Sequence, residues 1–259
     1  MDHEPVSLGF IGIGAIAEAV ITGLVDCGRF EGPIVISERS RARSAALAER
    51  FPNVKVETDN QAIVDQCEFV FLSVLPDQAR EVLMRLNLRK EQSLVSLVAG
   101  MELNEIRQLS SPVRNVFRII PMPPIEFGVG PIPLCPPNER ISSLLGCCGE
   151  VIEIEDEKKF LAFSVASGMM AMHHGITATL AAWMTNLGLE AEKSSAYASS
   201  LFHALATIET RSTAEQLAAL PDESVTVGGL NEQVLRELRE HDWFEILKGR
   251  MDSLGNRLG

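Results

Sequence analysis

Short apolar runs alternate with longer amphipathic segments through the first half of the chain. SLGFIGI leads into AIAEAVITGLVDCG, PIVIS into RARSAALAERF, and VKVE into a short polar helix. EFVFLSV then leads into PDQAREVLMRLN, and SLVSLVA into ELNEIRQLS. Continuous apolar strands separated by helices predict βαβ units and a parallel sheet covered on both faces. VRNVFRII and VGPIPL read as further strands, separated by the proline-rich loop PMPPIEF at residues 121–127, and GEVIEI closes the sheet.

After Asp156 the period changes and no strand pattern remains. Helical runs are expected at roughly 157–188, 191–210, 213–220 and 231–257. Several are apolar around most of their circumference, which predicts burial on more than one side and completion of the core by a second copy of the chain. The predicted organisation is an α/β domain at residues 1–155 and an all-helical dimerisation and substrate domain at 156–259. A homodimer or higher homo-oligomer is expected through the C-terminal helices.

Composition narrows the function classes. Hydrophobic residues make up 46% and charged residues 22% of the 259, a soluble globular balance. A formal net charge of −12 leaves no basic stripe for nucleic acid. No apolar run approaches membrane-spanning length, and MDHEPVSLGF does not read as a signal peptide. The five cysteines are odd in number and scattered, with Cys147 and Cys148 vicinal. That pattern fits free, structural thiols in a reducing cytoplasm, and without a C-x-x-C or a nearby histidine it predicts no metal site.

The strongest local motif is Gly12-x-Gly14-x-x-Ala17 within GFIGIGAIAEA, directly after the first strand and opening a helix. Gly12 permits the tight turn, Gly14 the approach of a pyrophosphate with Ala15 and Ile16 behind it, and Ala17 close helix–strand packing. This is the signature of a Rossmann-type dinucleotide domain. At the end of the second strand, Ser37-Glu38-Arg39-Ser40-Arg41 bears on the choice between NAD and NADP. Ser37, Arg39, Ser40 and Arg41 suit a 2′-phosphate and Glu38 suits a bare ribose, so NADP(H) is favoured over NAD(H). A second glycine pair, Gly228-Gly229, precedes a helix and reads as an anion-binding turn, with the backbone of Gly228, Gly229 and Leu230 and the Thr226 hydroxyl as donors.

With these residues placed, the chain resembles the pyrroline-5-carboxylate reductase family along nearly its whole length. GFIGIGAIAEAVITGL resembles that family's cofactor loop, and EFVFLSVLPDQAREVL its fourth-strand segment. SLVSLVAGMELNEI resembles the strand and turn beside the nicotinamide, VFRIIPMPPIEFGVG the Arg-x-Met-Pro-Asn-Thr-Pro segment, and the turn before GLNEQVLREL the Ser-Pro-Gly-Gly-Thr-Thr turn. The resemblance implies a Rossmann domain, a helical dimerisation domain, and NAD(P)H-dependent reduction of a cyclic imine acid to proline. It assigns Val74, Leu75, Pro76, Ala99 and Gly100 to the cofactor, and Met122, Ser167, Gly168, His173, Gly228, Gly229 and Leu230 to the substrate.

The departures fall in the substrate site. Leu75 replaces the family's lysine, Met122-Pro123-Pro124 its Asn-Thr-Pro, and Asn231 the threonine that faces the imine nitrogen. Asn231 and Thr226 are the catalytic candidates, although an amide is a poor proton source. Asn231 can also be read as the N-cap of the following helix; His173 and His174 read first as packed helix-interface residues, although as neighbours they point in different directions and one can face the pocket. Three functions therefore compete: a reductase of pyrroline-5-carboxylate, a reductase of another imine or carbonyl substrate on the same scaffold, and a non-catalytic NADP-binding dimer. A β-hydroxyacid dehydrogenase is disfavoured because Lys158 and Lys159 stand only at the very start of the first long helix.

Overall fold

In the computed structural model, which describes residues 6–258, the chain divides into two compact units, the first running to Ser164 and the second from Val165. In the first unit, eight strands form one sheet in the order β3-β2-β1-β4-β5-β6-β7-β8. They are β1 (Leu8–Ile11), β2 (Ile34–Ser37), β3 (Val54–Glu57), β4 (Phe69–Leu72), β5 (Ser93–Ser96), β6 (Asn115–Ile119), β7 (Pro131–Cys135) and β8 (Glu150–Glu153). The helices between them are α1 (Ala15–Asp26), α2 (Arg41–Arg50), α3 (Asn60–Gln66), α4 (Pro76–Met84), α5 (Leu103–Leu109) and α6 (Glu139–Leu145).

The strands from β3 to β6 run parallel, whereas β7 is antiparallel to β6, with Arg118 opposite Cys135. The reversal follows from the connection, because a parallel return needs a crossover of a dozen or more residues, usually a helix. Here only the proline-rich segment intervenes. The expected loop at 121–127 is instead a 3-10 turn at Pro123–Phe127 that buries Ile125.

Side chains of successive strand residues point to opposite faces, and the apolar strands feed a core on each side of the sheet. Phe10, Ile34, Ile36 and Phe71 pack with α1 residues Ala17, Val20 and Leu24 on one face. Val35, Val70, Leu72 and Leu94 pack with Ala79 and Leu83 of α4 on the other. Phe10 and Phe71 stack with ring centroids 4.5 Å apart. The helix α7 (Glu157–Ser167) contributes Phe160, 1% exposed, to the second core, which is why its first turns belong with the α/β unit.

The second unit is helical: α8 (Met170–Asn186), α9 (Ala191–Glu209), α10 (Ala214–Glu223), α11 (Leu230–Glu240) and α12 (Trp243–Leu258). The single run expected at 157–188 is broken at Gly168 and Met169, whose N–H groups bond three residues back to Val165 and Ala166. α10 carries Pro221 inside and runs past the expected stop at 220, opened by a Thr213–Gln216 capping box. The burial expected for these helices is not supplied within one chain. α8 has no buried residue within one chain, and Trp183, Leu187, Tyr197 and Ile208 are all more than half exposed.

Candidate functional site

The carboxyl ends of β2, β1, β4 and β5 lie side by side in the sheet, so the loops that leave them form a row. At ~4.8 Å per strand this row covers ~14 Å. Ligands of open α/β sheets bind along such an edge. The row consists of Ser37–Arg41, Gly12–Gly14, Val74–Pro76 and Ala99–Gly100 in that order.

The turn after β1 depends on glycine. Gly12 has φ +91°, and a Cβ there would lie 2.5 Å from the Ser73 carbonyl oxygen. Its N–H donates to Ser37 Oγ at 2.9 Å, while the Ser44 hydroxyl donates to the Ser37 carbonyl at 2.8 Å. Gly14 is the N-cap of α1 with no side-chain cap, and a Cβ there would meet nothing within 4 Å. The positive end of α1 is therefore without a side-chain cap, and the space beside Gly14 is open, an arrangement that suits a phosphate. Ala15 is exposed and Ile16 half-buried, while Ala17 is 0% exposed beneath the turn. Glu18 places a carboxylate in the same first turn, and Arg43 pairs with it at 3.0 Å.

A cleft of about 720 Å³ opens beside this turn. Ile11, Val74, Val82 and Leu86 supply apolar wall, and Arg39, Arg41 and Arg85 supply positive charge. Arg41 pairs with Glu38 at 3.5 Å and Arg85 with Glu81 at 2.6 Å, whereas Arg39 has no ion pair among the described residues. Ser37, expected around the phosphate, is 4% exposed and turned under the glycine turn, so its side chain holds the loop. Ser40 is the N-cap of α2, half-buried beside Arg39. Arg85 was absent from the expected set. Its signal was the spacing of Gln78, Glu81, Val82 and Arg85, which puts all four on one face of α4 and its C-cap.

Further along the row, Leu75 is the N-cap of α4, 67% exposed, followed by Pro76 at the first helical position. A lysine's charge is thus replaced by exposed apolar surface. Ala99 and Gly100 are exposed at the tip of the loop after β5. Below them Arg118 of β6, its side chain 12% exposed, pairs with Glu157 at 2.6 Å. Met122 is half-buried just before the 3-10 turn.

The second unit contains the remaining candidates. Ser167 ends α7, half-buried, and Gly168 is exposed in the turn that follows. His173 is exposed and lies edge-on to Phe202 of α9, with ring centroids 5.5 Å apart. At the glycine turn Gly228 has φ +75°, and its N–H donates to the Glu232 carboxylate at 2.5 Å. The Gly229 N–H donates to the Thr226 carbonyl at 2.8 Å. Two of the donors expected for a substrate carboxylate are therefore engaged within the turn. The N-cap of α11 is Gly229, not Asn231, whose amide instead donates back to the Ser224 carbonyl at 3.0 Å. Thr226 is exposed, and the turn carries Val227 and Leu230 at 94% and 81% exposure.

Among the described residues no group of three histidine, cysteine or acidic side chains is placed to hold a metal ion, and no helix is long and apolar enough to cross a membrane. All five cysteines are free. Burial pushes the Cys147 thiol up to about 11 and the Cys67 thiol up to about 12, so both are protonated at neutral pH.

Residues 7–100 match the family model described as NADP oxidoreductase, coenzyme F420-dependent. A pyrroline-5-carboxylate reductase of Corynebacterium melassecola is 25% identical over 246 residues, covering 90% of each chain. The crystal structure of 1-pyrroline-5-carboxylate reductase from Streptococcus pyogenes superposes with a TM-score of 0.83 at 21% identity, covering 99% of both chains. That of the Plasmodium falciparum enzyme, solved with NADP bound, gives 0.82 at 18% identity over 98% of this chain and 97% of its own. The chain is thus similar in sequence to pyrroline-5-carboxylate reductases over most of its length and shares the fold of the two solved enzymes from end to end.

Proposed function

We propose that the protein is an NAD(P)H-dependent reductase that delivers hydride to the C=N bond of a small cyclic imine acid, with pyrroline-5-carboxylate reduced to proline as the reference reaction. The observation that carries this reading is the uncapped N-terminus of α1 behind the Gly12 turn, with open space at Gly14. Bound there, the dinucleotide supplies the hydride. The chain's own residues hold it: Gly12, Gly14, Ala15 and Ile16 at the phosphates, and Val74–Pro76 with Ala99 and Gly100 along the rest of the row. Arg39 and Ser40 favour NADP(H) over NAD(H), Arg39 being a cleft arginine that forms no ion pair among the described residues. In the second unit Thr226 and Asn231 are assigned to the imine nitrogen. With Asn231 unable to give up a proton, the proton arrives from water through the Thr226 hydroxyl. The exposed apolar residues of α8 and α9 support a homodimer formed through the helical unit, and free thiols suit a cytoplasmic enzyme.

A second reading has one specific observation in its favour. Glu232 places the chain's own carboxylate on Gly228, where an acid substrate's carboxylate would otherwise go. A neutral cyclic imine would meet no such competitor.

Following NADPH oxidation with pyrroline-5-carboxylate and with 1-pyrroline, beside NADPH and NADH affinities, tests both readings. Faster turnover of the acid supports the first reading and faster turnover of the neutral imine the second. Tight dinucleotide binding with no turnover of any imine leaves a non-catalytic NADP-binding dimer, and absence of dinucleotide binding overturns every enzymatic reading. Arg39→Ala should weaken NADPH about tenfold more than NADH if Arg39 meets the 2′-phosphate. Sedimentation of the intact protein as a monomer would overturn the dimer.

A further inference from the structure

The loop after β5 is held at both ends by groups outside the expected cofactor set. At its start the Val98 N–H is 3.2 Å from Ser96 Oγ, and Val98 is 3% exposed. At its end the Leu103 N–H donates to a Glu157 carboxylate oxygen at 2.7 Å, and Met101 and Leu103 are each 4% exposed. Between the buried Val98 and Met101 the tip, Ala99 and Gly100, is exposed at the carboxyl edge of the sheet.

Glu157 lies 54 residues beyond Leu103, yet it does the work of a cap. The local N-cap of α5, Glu102, makes no side-chain hydrogen bond to the helix. The same Glu157 oxygen accepts from Arg118 at 2.6 Å, and the Arg118 guanidinium sits 5.1 Å from the centre of the Phe160 ring. Phe160 is 1% exposed, so the guanidinium rests on a ring that is itself packed in the core. One carboxylate thus joins the start of α5, the end of β6 and the first turn of α7. Charge-assisted bonds of this kind are short and directional, and a half-buried pair is only weakly screened by salt.

We propose that Glu157 is a positioning residue for the dinucleotide: through Leu103 and Arg118 it sets the height of the Ala99–Gly100 tip, the wall against which the nicotinamide end is aligned. This rests on the reductase reading, which puts that tip in the cofactor row. On that reading the adenosine end is at β2, three strands from β5 and beyond the reach of the contact. Misplacement of about 1 Å at a reacting group costs up to about 100-fold in rate, so a small drop of the tip is sufficient to matter.

The test compares the parent protein with Glu157→Gln, which keeps an acceptor for Leu103 without the ion pair, and Glu157→Ala, which loses both. Amide hydrogen exchange at residues 99–103 should quicken in the order parent, Gln, Ala, without any ligand. Affinity for 2′,5′-ADP, which carries only the adenosine end, should stay within about twofold, while NADPH affinity falls about tenfold in Glu157→Ala and less in Glu157→Gln. Wherever turnover is measurable, kcat should fall in the same order. Exchange at 99–103 unchanged in Glu157→Ala overturns the proposal, and so does equal weakening of 2′,5′-ADP and NADPH. If Glu157→Ala does not fold, Glu157→Gln and Glu157→Asp are judged by the same criteria. A parent protein that binds no dinucleotide defeats the reductase reading, whereas the exchange data still decide whether Glu157 holds the loop.

Discussion

Ser37 Oγ accepts the Gly12 N–H at 2.9 Å, tying the end of β2 to the turn after β1. Both residues are buried, so the bond is made away from water and its loss leaves a donor without a partner. Ser37→Ala should cost about 1–3 kcal/mol and lower the melting temperature by about 2–10 °C. Dinucleotide affinity should fall with it, because the turn that carries the phosphate contacts loses its anchor. Thermal denaturation with and without NADPH checks this, and a variant matching the parent in both would show that the bond holds nothing.

The two glycines of the turn should fail in different ways. Gly12→Ala forces φ +91° on an alanine and drives Cβ to 2.5 Å from the Ser73 carbonyl oxygen, so the backbone must move and the protein should be destabilised by a few kcal/mol. Gly14→Ala has room in the protein itself. It should keep the parent's melting temperature and weaken NADPH by about tenfold or more, because Cβ then occupies the approach to the phosphates. Equal loss of stability in the two variants would contradict this assignment of roles.

At the other glycine turn, Glu232→Gln removes a negative charge from the Gly228 N–H while keeping an acceptor. Turnover of pyrroline-5-carboxylate relative to 1-pyrroline should rise about tenfold, the effect of removing roughly 1.4 kcal/mol of like-charge repulsion. Steady-state kinetics with both imines give the ratio, and an unchanged ratio would place the substrate carboxylate away from Gly228.

Burial pushes the Cys67 thiol from 9.0 up to about 12. Between those values the folded chain keeps a proton that the unfolded chain has lost, so stability falls as pH rises. The contribution of Cys67 is fully present below pH ~9 and is lost through ~12, at up to ~1.4 kcal/mol per pH unit. Urea denaturation between pH 8 and 10.5 should show this loss, and Cys67→Ala, although less stable at pH 8 through its cavity, should show a shallower pH slope. An identical slope would exclude Cys67 as the titrating group.

Much of the α/β unit was legible because its signals are local. The apolar runs around Phe10, Ile36, Phe71 and Val95 mark buried strands, and Gly12-x-Gly14 marks a turn whose first glycine leaves no room for a side chain. The direction of β7 was not written in its apolar pattern, which is the same for either direction; it follows from the short link through Pro123–Phe127, which holds no crossover helix. In the helical unit, periodicity located the runs, but the break at Gly168 and the continuation through Pro221 depend on turn bonds and a cap rather than residue type.

The sequence by itself determined the order of elements in the α/β unit, the glycine turn after β1 and the family resemblance, because each is written in residues adjacent along the chain. Tertiary structure alone decided what the polar side chains do. It turned Ser37 inward to Gly12, brought Arg85 from α4 into the cleft, and set Glu157 on Leu103 across 54 residues. It also settled Glu232 on Gly228 and moved the α11 cap from Asn231 to Gly229. A hydrogen bond is fixed by distance and angle in space, and a pattern along the chain records neither.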